Sequence, residues 1–185
     1  MALTKVRNIM IEGAPVNVKD FGAVGDGVTD DTAAINAAIL SASTSKFGLI
    51  FEAGKDYLVS STLSFSNSAS TIPRWVDFKG CSITAHATSF TGSSLVYVEN
   101  PHGKVETFLM SNVYIDCSAN SGINYGFYMK GGQDGRYTSI QVVRAASNGF
   151  LIQAESGFGI YYNVFDTCKA GGPKLRPSIQ CYRWV

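Results

Sequence analysis

The sequence predicts a mostly β chain coiled as a solenoid, with one short helix near its start, and three observations carry that reading. Gly (19 residues), Ser, Thr, Val, Ile, Phe and Tyr are plentiful while Glu, Lys and Leu are few, as expected of short strands separated by tight turns. The segment Asn112-Val-Tyr-Ile-Asp-Cys117 returns as Asn163-Val-Phe-Asp-Thr-Cys168, with Ile140-Gln-Val-Val-Arg-Ala145 between them, at spacings of about 27–28 and 23–24 residues that suit one solenoid turn. A second series, Gly126-Phe-Tyr-Met129 and Gly149-Phe-Leu-Ile152, follows the first as a second strand per turn would.

Taken in order, residues 1–15 read as an N-terminal tether that ends at the breaker Glu12-Gly-Ala-Pro15. Residues 16–47 read as a first strand, a loop and a capping helix. The strand is Val16-Asn-Val18, and Asp20-Phe-Gly-Ala-Val-Gly-Asp-Gly-Val28 is a compact loop whose glycines take positive φ. A helix is predicted from Asp30 to Ser41, with Thr29 as its cap, Asp30 and Asp31 favoured by the helix dipole, and an apolar stripe of Ala34, Ile35, Ala38 and Ile39. Residues 48–185 read as solenoid coils, beginning with Leu49-Ile-Phe51, Tyr57-Leu-Val59 and Leu63-Ser-Phe65. The middle repeat can be aligned in two registers one residue apart, and the slip exchanges inward and outward faces. Either register aligns Cys117 with Cys168 as members of one internal stack, two turns and about 10 Å apart, beyond disulfide reach.

Composition also excludes several function classes. A net charge of +1, from 15 basic and 14 acidic residues, offers no basic block to neutralise phosphates, so no nucleic-acid partner is expected. No run is apolar enough to span a membrane, and the start has no apolar core followed by a small-residue cleavage site. Cys81, Cys117, Cys168 and Cys181 form no CxxC pair, so buried thiols are expected rather than a metal site, and no cofactor is implied.

The run Val16-Asn-Val-Lys-Asp-Phe-Gly-Ala-Val-Gly-Asp-Gly-Val-Thr-Asp-Asp-Thr-Ala-Ala-Ile-Asn-Ala-Ala-Ile39 resembles the N-terminal signature of the pectate-lyase-like superfamily, which includes phage tailspikes and depolymerases. The resemblance implies a right-handed, single-stranded parallel β-helix with a short N-terminal capping helix. The start, Thr4 to Pro15 running into Val16-Asn-Val18, is most similar to phage tail proteins. It implies a tailspike-type virion protein of the phage tail, made in the host cytoplasm. Such a protein forms a homotrimer, binds other phage tail proteins and recognises a bacterial surface polysaccharide, which the enzymatic members also cleave. A stand-alone bacterial polysaccharide lyase or glycoside hydrolase, and a non-enzymatic tail connector, are the alternatives. The chain has room for about five or six turns, fewer than such relatives, so it is expected to be truncated at its C-terminus or closed by association.

No catalytic motif of the family carries over residue by residue. Asp116 and Asp166 are the candidate catalytic pair: placed two turns apart at nearly one position, they would stand about 10 Å apart, near the upper limit for an inverting pair of carboxyls. Asp26, Asp30 and Asp31 are assigned to turns and caps. Tyr114, Tyr161 and Tyr162 are the candidate sugar-binding aromatics, from a wider set that includes Tyr97, Tyr125 and Tyr128. Glu99, Glu106, Asp134, Glu155, His86 and His102 are isolated in sequence.

Overall fold

Residues that alternate apolar and polar with period two can form a wall with one face in the core, and parallel stacking of such walls pairs every interior backbone group. The computed structural model describes residues 13–66, 72–100, 108–132, 134–154, 162–171 and 179–182. The chain opens with β1 (Val16–Asn17), a 3-10 turn (Val18–Phe21), β2 (Asp26–Asp30) and α1 (Thr32–Ser45). Then follow β3 (Leu49–Ile50), β4 (Asp56–Val59), β5 (Ser61–Phe65), β6 (Trp75–Ala85), β7 (Thr91–Asn100), β8 (Leu109–Asp116) and β9 (Tyr125–Gly131). The series ends with β10 (Arg136–Val143), β11 (Asn148–Gln153), β12 (Val164–Asp166), β13 (Lys169–Gly171) and β14 (Ile179–Tyr182).

The strands form two parallel sheets. One runs β1-β3-β6-β8-β10-β12, with β2, β4 and β13 joined to it, and the other runs β5-β7-β9-β11-β14. The chain alternates between them for about four turns, so the predicted parallel β-helix is the fold. Its core is a set of columns, one side chain per turn. Leu49, Val76, Met110, Tyr137 and Phe165 make one column, and Leu63, Val96, Phe127 and Phe150 make another on the facing sheet. Tyr137 and Phe165 stack with centroids 4.7 Å apart, and Phe51 and Phe78 with centroids 4.3 Å apart.

The long strands of the first sheet share one device. Asn112, Ser139 and Thr167 occupy one register position, and all three have positive φ, as does Lys79 in β6. A left-handed residue breaks the alternation, so Met110 and Val113 both reach the core although three positions apart. Side chains hold this ridge: Ser139 N–H donates to Thr167 Oγ1 at 3.1 Å, and Asn112 Nδ2 to Asp77 Oδ1 at 3.0 Å.

The strand register corrects the repeat alignment. Cys168 stands in the column of Cys81, Val113 and Ile140, not in that of Cys117, because the spacing from the middle turn is 28 residues rather than 23 or 24. Cys81 and Cys117 are buried and Cys168 is half-buried, all as free thiols; burial pushes the Cys117 thiol up to about 12 and that of Cys81 higher still. The second repeat series holds as read, with Phe127, Tyr128 and Met129 in register with Phe150, Leu151 and Ile152.

The N-terminal segment packs across the first turn, with α1 against β1, β3 and β5. Ile35, Ala38, Ile39 and Ala42 are buried and Ala34 is only half-buried, so the apolar stripe extends one turn further than predicted. The helix starts at Thr32, and Thr29 is not its cap. Thr29 lies in β2 and donates its hydroxyl to Asp26 Oδ2 at 2.9 Å, while Asp30 Oδ1 accepts the Thr32 N–H at 3.0 Å. Part of the predicted loop is also a strand, since Asp26 pairs with Asp56 and Asp30 with Leu58.

Hydrogen bonds set the charge state of these acids. The N–H groups of Thr29 and Val28 pull the Asp26 carboxyl below the usual range; at Asp30 burial acts upward, but donation from Ser60 and Thr32 outweighs it. A depressed folded value contributes stability that is present above the unfolded value of about 3.9 and lost as pH falls through the folded value. The melting temperature is therefore expected to hold from pH 7 to about 5 and to fall below about pH 4, with a shallower acid slope in Asp30→Asn; an unchanged slope would show that Asp30 does not contribute.

Candidate functional site

The outer face of the β5-β7-β9-β11 sheet gathers residues that sequence distance separates. Because Phe127 and Met129 face the core, Tyr128 and Lys130 face outward, and register repeats the pattern on each neighbouring turn. One outward row is Ser64, Tyr97, Tyr128 and Leu151; the next holds Glu99, Lys130 and Gln153. Tyr97 and Tyr128 have ring centroids 5.1 Å apart, and Tyr125 lies 5.9 Å from Tyr128.

Polar groups edge these rings. Lys130 Nζ lies 3.0 Å from Glu99 Oε1, Ser66 Oγ donates to Glu99 Oε2 at 3.0 Å, and Tyr128 OH donates to Gln153 Oε1 at 2.7 Å. Burial pushes the Glu99 carboxyl up, but hydrogen bonds from Lys130, Ser66 and Tyr97, with the Lys130 charge, outweigh it and hold it below the usual glutamate value. Burial raises the Tyr128 phenol. At neutral pH the face therefore presents an ionised carboxylate, an ammonium and a phenol that keeps its proton. It can stack a flat apolar surface and exchange hydrogen bonds at its rim.

The residues singled out in the sequence are scattered differently. Asp116 ends β8 on the outside of the other sheet, where Asp116 Oδ1 accepts the Ser118 N–H at 2.8 Å and Oδ2 pairs with Arg144 Nη2 at 2.8 Å. Burial acts upward on its carboxyl, but Ser118 and Arg144 outweigh it and keep it ionised. Asp166 ends β12 in register with Thr138 and Ser111, whereas the place two turns along from Asp116 belongs to Gly171. The two carboxylates are thus five strand positions out of register, across the left-handed ridge, and do not form a facing pair. The cause is the length of the turns, 27 residues from β8 to β10 and 28 from β10 to β12 and β13.

Tyr114 lies outward on β8, half-buried, in the column of Ser82 and Gln141. Tyr162 is 80% exposed at the corner before β12 with φ 53°, and Tyr161 lies outside the described residues, as do Glu106, His102 and Glu155. His86 Nδ1 accepts the N–H groups of Thr88 and Ser89, at 3.4 and 3.3 Å, and so forms a turn.

Lys130 and Gln153 directly follow the two copies of the Gly-Phe repeat, so extending that repeat by one residue finds them. Glu99 needs the register of β7, which has no such repeat. The Arg144–Asp116 pair is mostly exposed on the arginine side, and Arg144→Ala is expected to leave the midpoint of a denaturant melt nearly unchanged. A clear drop would mean that the pair also organises the strand end.

Comparison with known proteins places residues 15–163 under the family described as rhamnogalacturonase A/epimerase, pectate lyase-like. Among curated proteins, mannuronan C5-epimerase AlgE1 of Azotobacter vinelandii is 32% identical over 152 residues, which is 77% of this chain and 10% of that protein. AlgE5 of the same organism is 57% identical over 44 residues, 24% of this chain and 4% of that protein. The chain thus spans about a tenth or less of these relatives. Among solved structures, the AlgE4 A-module of Azotobacter vinelandii superposes with TM-score 0.58 at 22% identity, covering 84% of this chain and 51% of that one. A candidate glycosyl hydrolase from Parabacteroides merdae superposes with TM-score 0.62 at 17% identity, covering 86% and 76%. Both structural likenesses concern the fold.

Proposed function

Because the chain belongs to the rhamnogalacturonase A/epimerase, pectate lyase-like family, we propose that it is a polysaccharide-recognising β-helix whose sugar-contact surface is the outer face of the β5-β7-β9-β11 sheet. The observation that carries this reading is the cluster of Tyr97, Tyr125 and Tyr128 beside Lys130, Glu99 and Gln153. Sugar rings need flat apolar area together with directional donors and acceptors, and this face supplies both.

In its finer form the proposal is a tailspike-type virion protein of the phage tail. It acts as a homotrimer, contacts other tail proteins and recognises a bacterial surface polysaccharide, with cleavage of that polysaccharide decided by the assay below. The similarity of Thr4 to Val18 to phage tail proteins supports it. A second reading, a bacterial enzyme acting on a polyuronide, draws support from the mannuronan epimerases among its relatives and from a cation on the sugar-facing surface.

A glycan array with a reducing-end assay, together with the mass in solution, tests both. Binding to surface polysaccharides by a trimer favours the first form, and turnover of a polyuronide by a monomer the second. Tyr128→Ala is expected to weaken binding at least about tenfold. Asp116→Asn and Asp166→Asn, tested separately, report whether either acid takes part in bond cleavage. Absence of binding to every glycan would overturn the reading and leave a structural connector.

A further inference from the structure

We propose that Glu99 is a specificity-determining residue of this face: an internal carboxylate seated among donors suited to an acidic sugar, which a carboxylate-bearing glycan must displace in order to bind. The inference rests on the sugar-contact reading above and adds to it how one class of ligand is admitted.

Three side chains from three successive turns converge on Glu99. Ser66 follows β5, Tyr97 stands on β7 beside it, and Lys130 is its register partner on β9. The hydroxyl, the phenol and the ammonium all donate, and all meet one carboxylate. Removing Glu99 takes from these three groups the carboxylate they share, and a second carboxylate fills that place better than a neutral hydroxyl. The sugar-facing surface already holds, in its own residue, the group that an acidic sugar would bring.

Two features make the contact one that opens rather than a fixed brace. The Lys130 and Glu99 side chains remain 36% and 25% exposed, so water reaches the pair and screens it. The pair also lies on the outside of the sheet, while the column beneath it, Phe65, Val98, Met129 and Ile152, is buried and complete without it. Exchanging one carboxylate for another at Lys130 therefore leaves the core undisturbed. Beside the pair, Tyr128 on the same strand as Lys130 and Gln153 one turn further on, bonded to each other, supply a further donor and acceptor that ring hydroxyls can engage.

The test uses the full chain and titration calorimetry with two probes, a 1,4-linked mannuronate tetramer and cellotetraose as the neutral control. Glu99→Gln is expected to bind the mannuronate tetramer about tenfold more tightly than the natural chain, with cellotetraose unchanged, and addition of Lys130→Met is expected to abolish that gain. Should Glu99→Gln fold poorly, Ser66→Ala removes one of the bonds that hold Glu99 and is expected to tighten the same binding by a smaller factor. Equal or weaker mannuronate binding in both variants would overturn the role of Glu99. If the natural chain binds cellotetraose in a Tyr128-dependent way while neither variant gains affinity for mannuronate, the sugar-contact reading stands and this inference falls. If no variant binds either probe or any arrayed glycan, both fall.

Discussion

Gly126→Ala is expected to lower stability by about 3 kcal/mol and the melting temperature by roughly 6–12 °C, although it adds one methyl group to a residue of ordinary backbone geometry. A Cβ at this position would lie 2.1 Å from Val142 Cγ1 and 3.2 Å from both Val142 Cβ and Cγ2. Val142 is fully buried on the facing sheet and its side chain is branched at Cβ, so it has no free rotamer into which to retreat. The next turn repeats the arrangement, with a Cβ at Gly149 falling 2.3 Å from Ala170 Cβ. The two sheets approach too closely here for side chains from both walls. Val142→Ala in the same chain is expected to recover more than about 1 kcal/mol of the loss relative to the sum of the single changes. Strict additivity of the two changes in a denaturant melt would refute the clash.

Asp31→Ala is expected to cost about 3–5 kcal/mol and to loosen the whole N-terminal cap. Asp31 is 1% exposed, and its two carboxylate oxygens accept the N–H groups of Val24 at 2.7 Å and Gly25 at 2.9 Å. Its backbone joins the cap to the coil as well, since Asp31 N–H donates to Leu58 O and Asp31 O accepts from Ile35 N–H. Removing the carboxylate leaves the buried Gly25 N–H and the part-buried Val24 N–H without acceptors, and an orphaned buried donor carries a penalty of about 1–3 kcal/mol. Hydrogen exchange at Val24 and Gly25 should accelerate together with the amides of α1. Acceleration at the two loop amides alone would show that the cap does not depend on this residue.

Both predictions concern residues whose chemistry the sequence made visible but whose partners it could not name. The acids of the Asp26 to Asp31 run read as turn and cap formers, and they are, because short side chains bonding nearby N–H groups are a matter of local geometry. The division of labour was not legible. Thr29 looked like the cap and Asp31 like a dipole partner, but Asp31 turns back toward Val24 and Gly25 once β2 is drawn into the sheet beside β4.

The sequence by itself determined the class of fold, the helix with its apolar face, and the strand series that begins at Gly126 and Gly149. These rest on period-two and helical alternation and on glycine punctuation, which act over a few residues. Only the tertiary structure decided the registry of the other sheet, because turn length sets strand partners and a left-handed residue inside each long strand interrupts the alternation that marks the inward face. Turns of 27 and 28 residues, where the repeats suggested a second turn of 23 or 24, separate Asp116 from Asp166 and put Cys168 in the column of Cys81. It was tertiary structure, too, that brought Ser66, Tyr97, Glu99, Tyr128, Lys130 and Gln153 to one surface. Parallel stacking places residues about thirty positions apart within about 5 Å of each other across the sheet, and no local pattern in the chain encodes that neighbourhood.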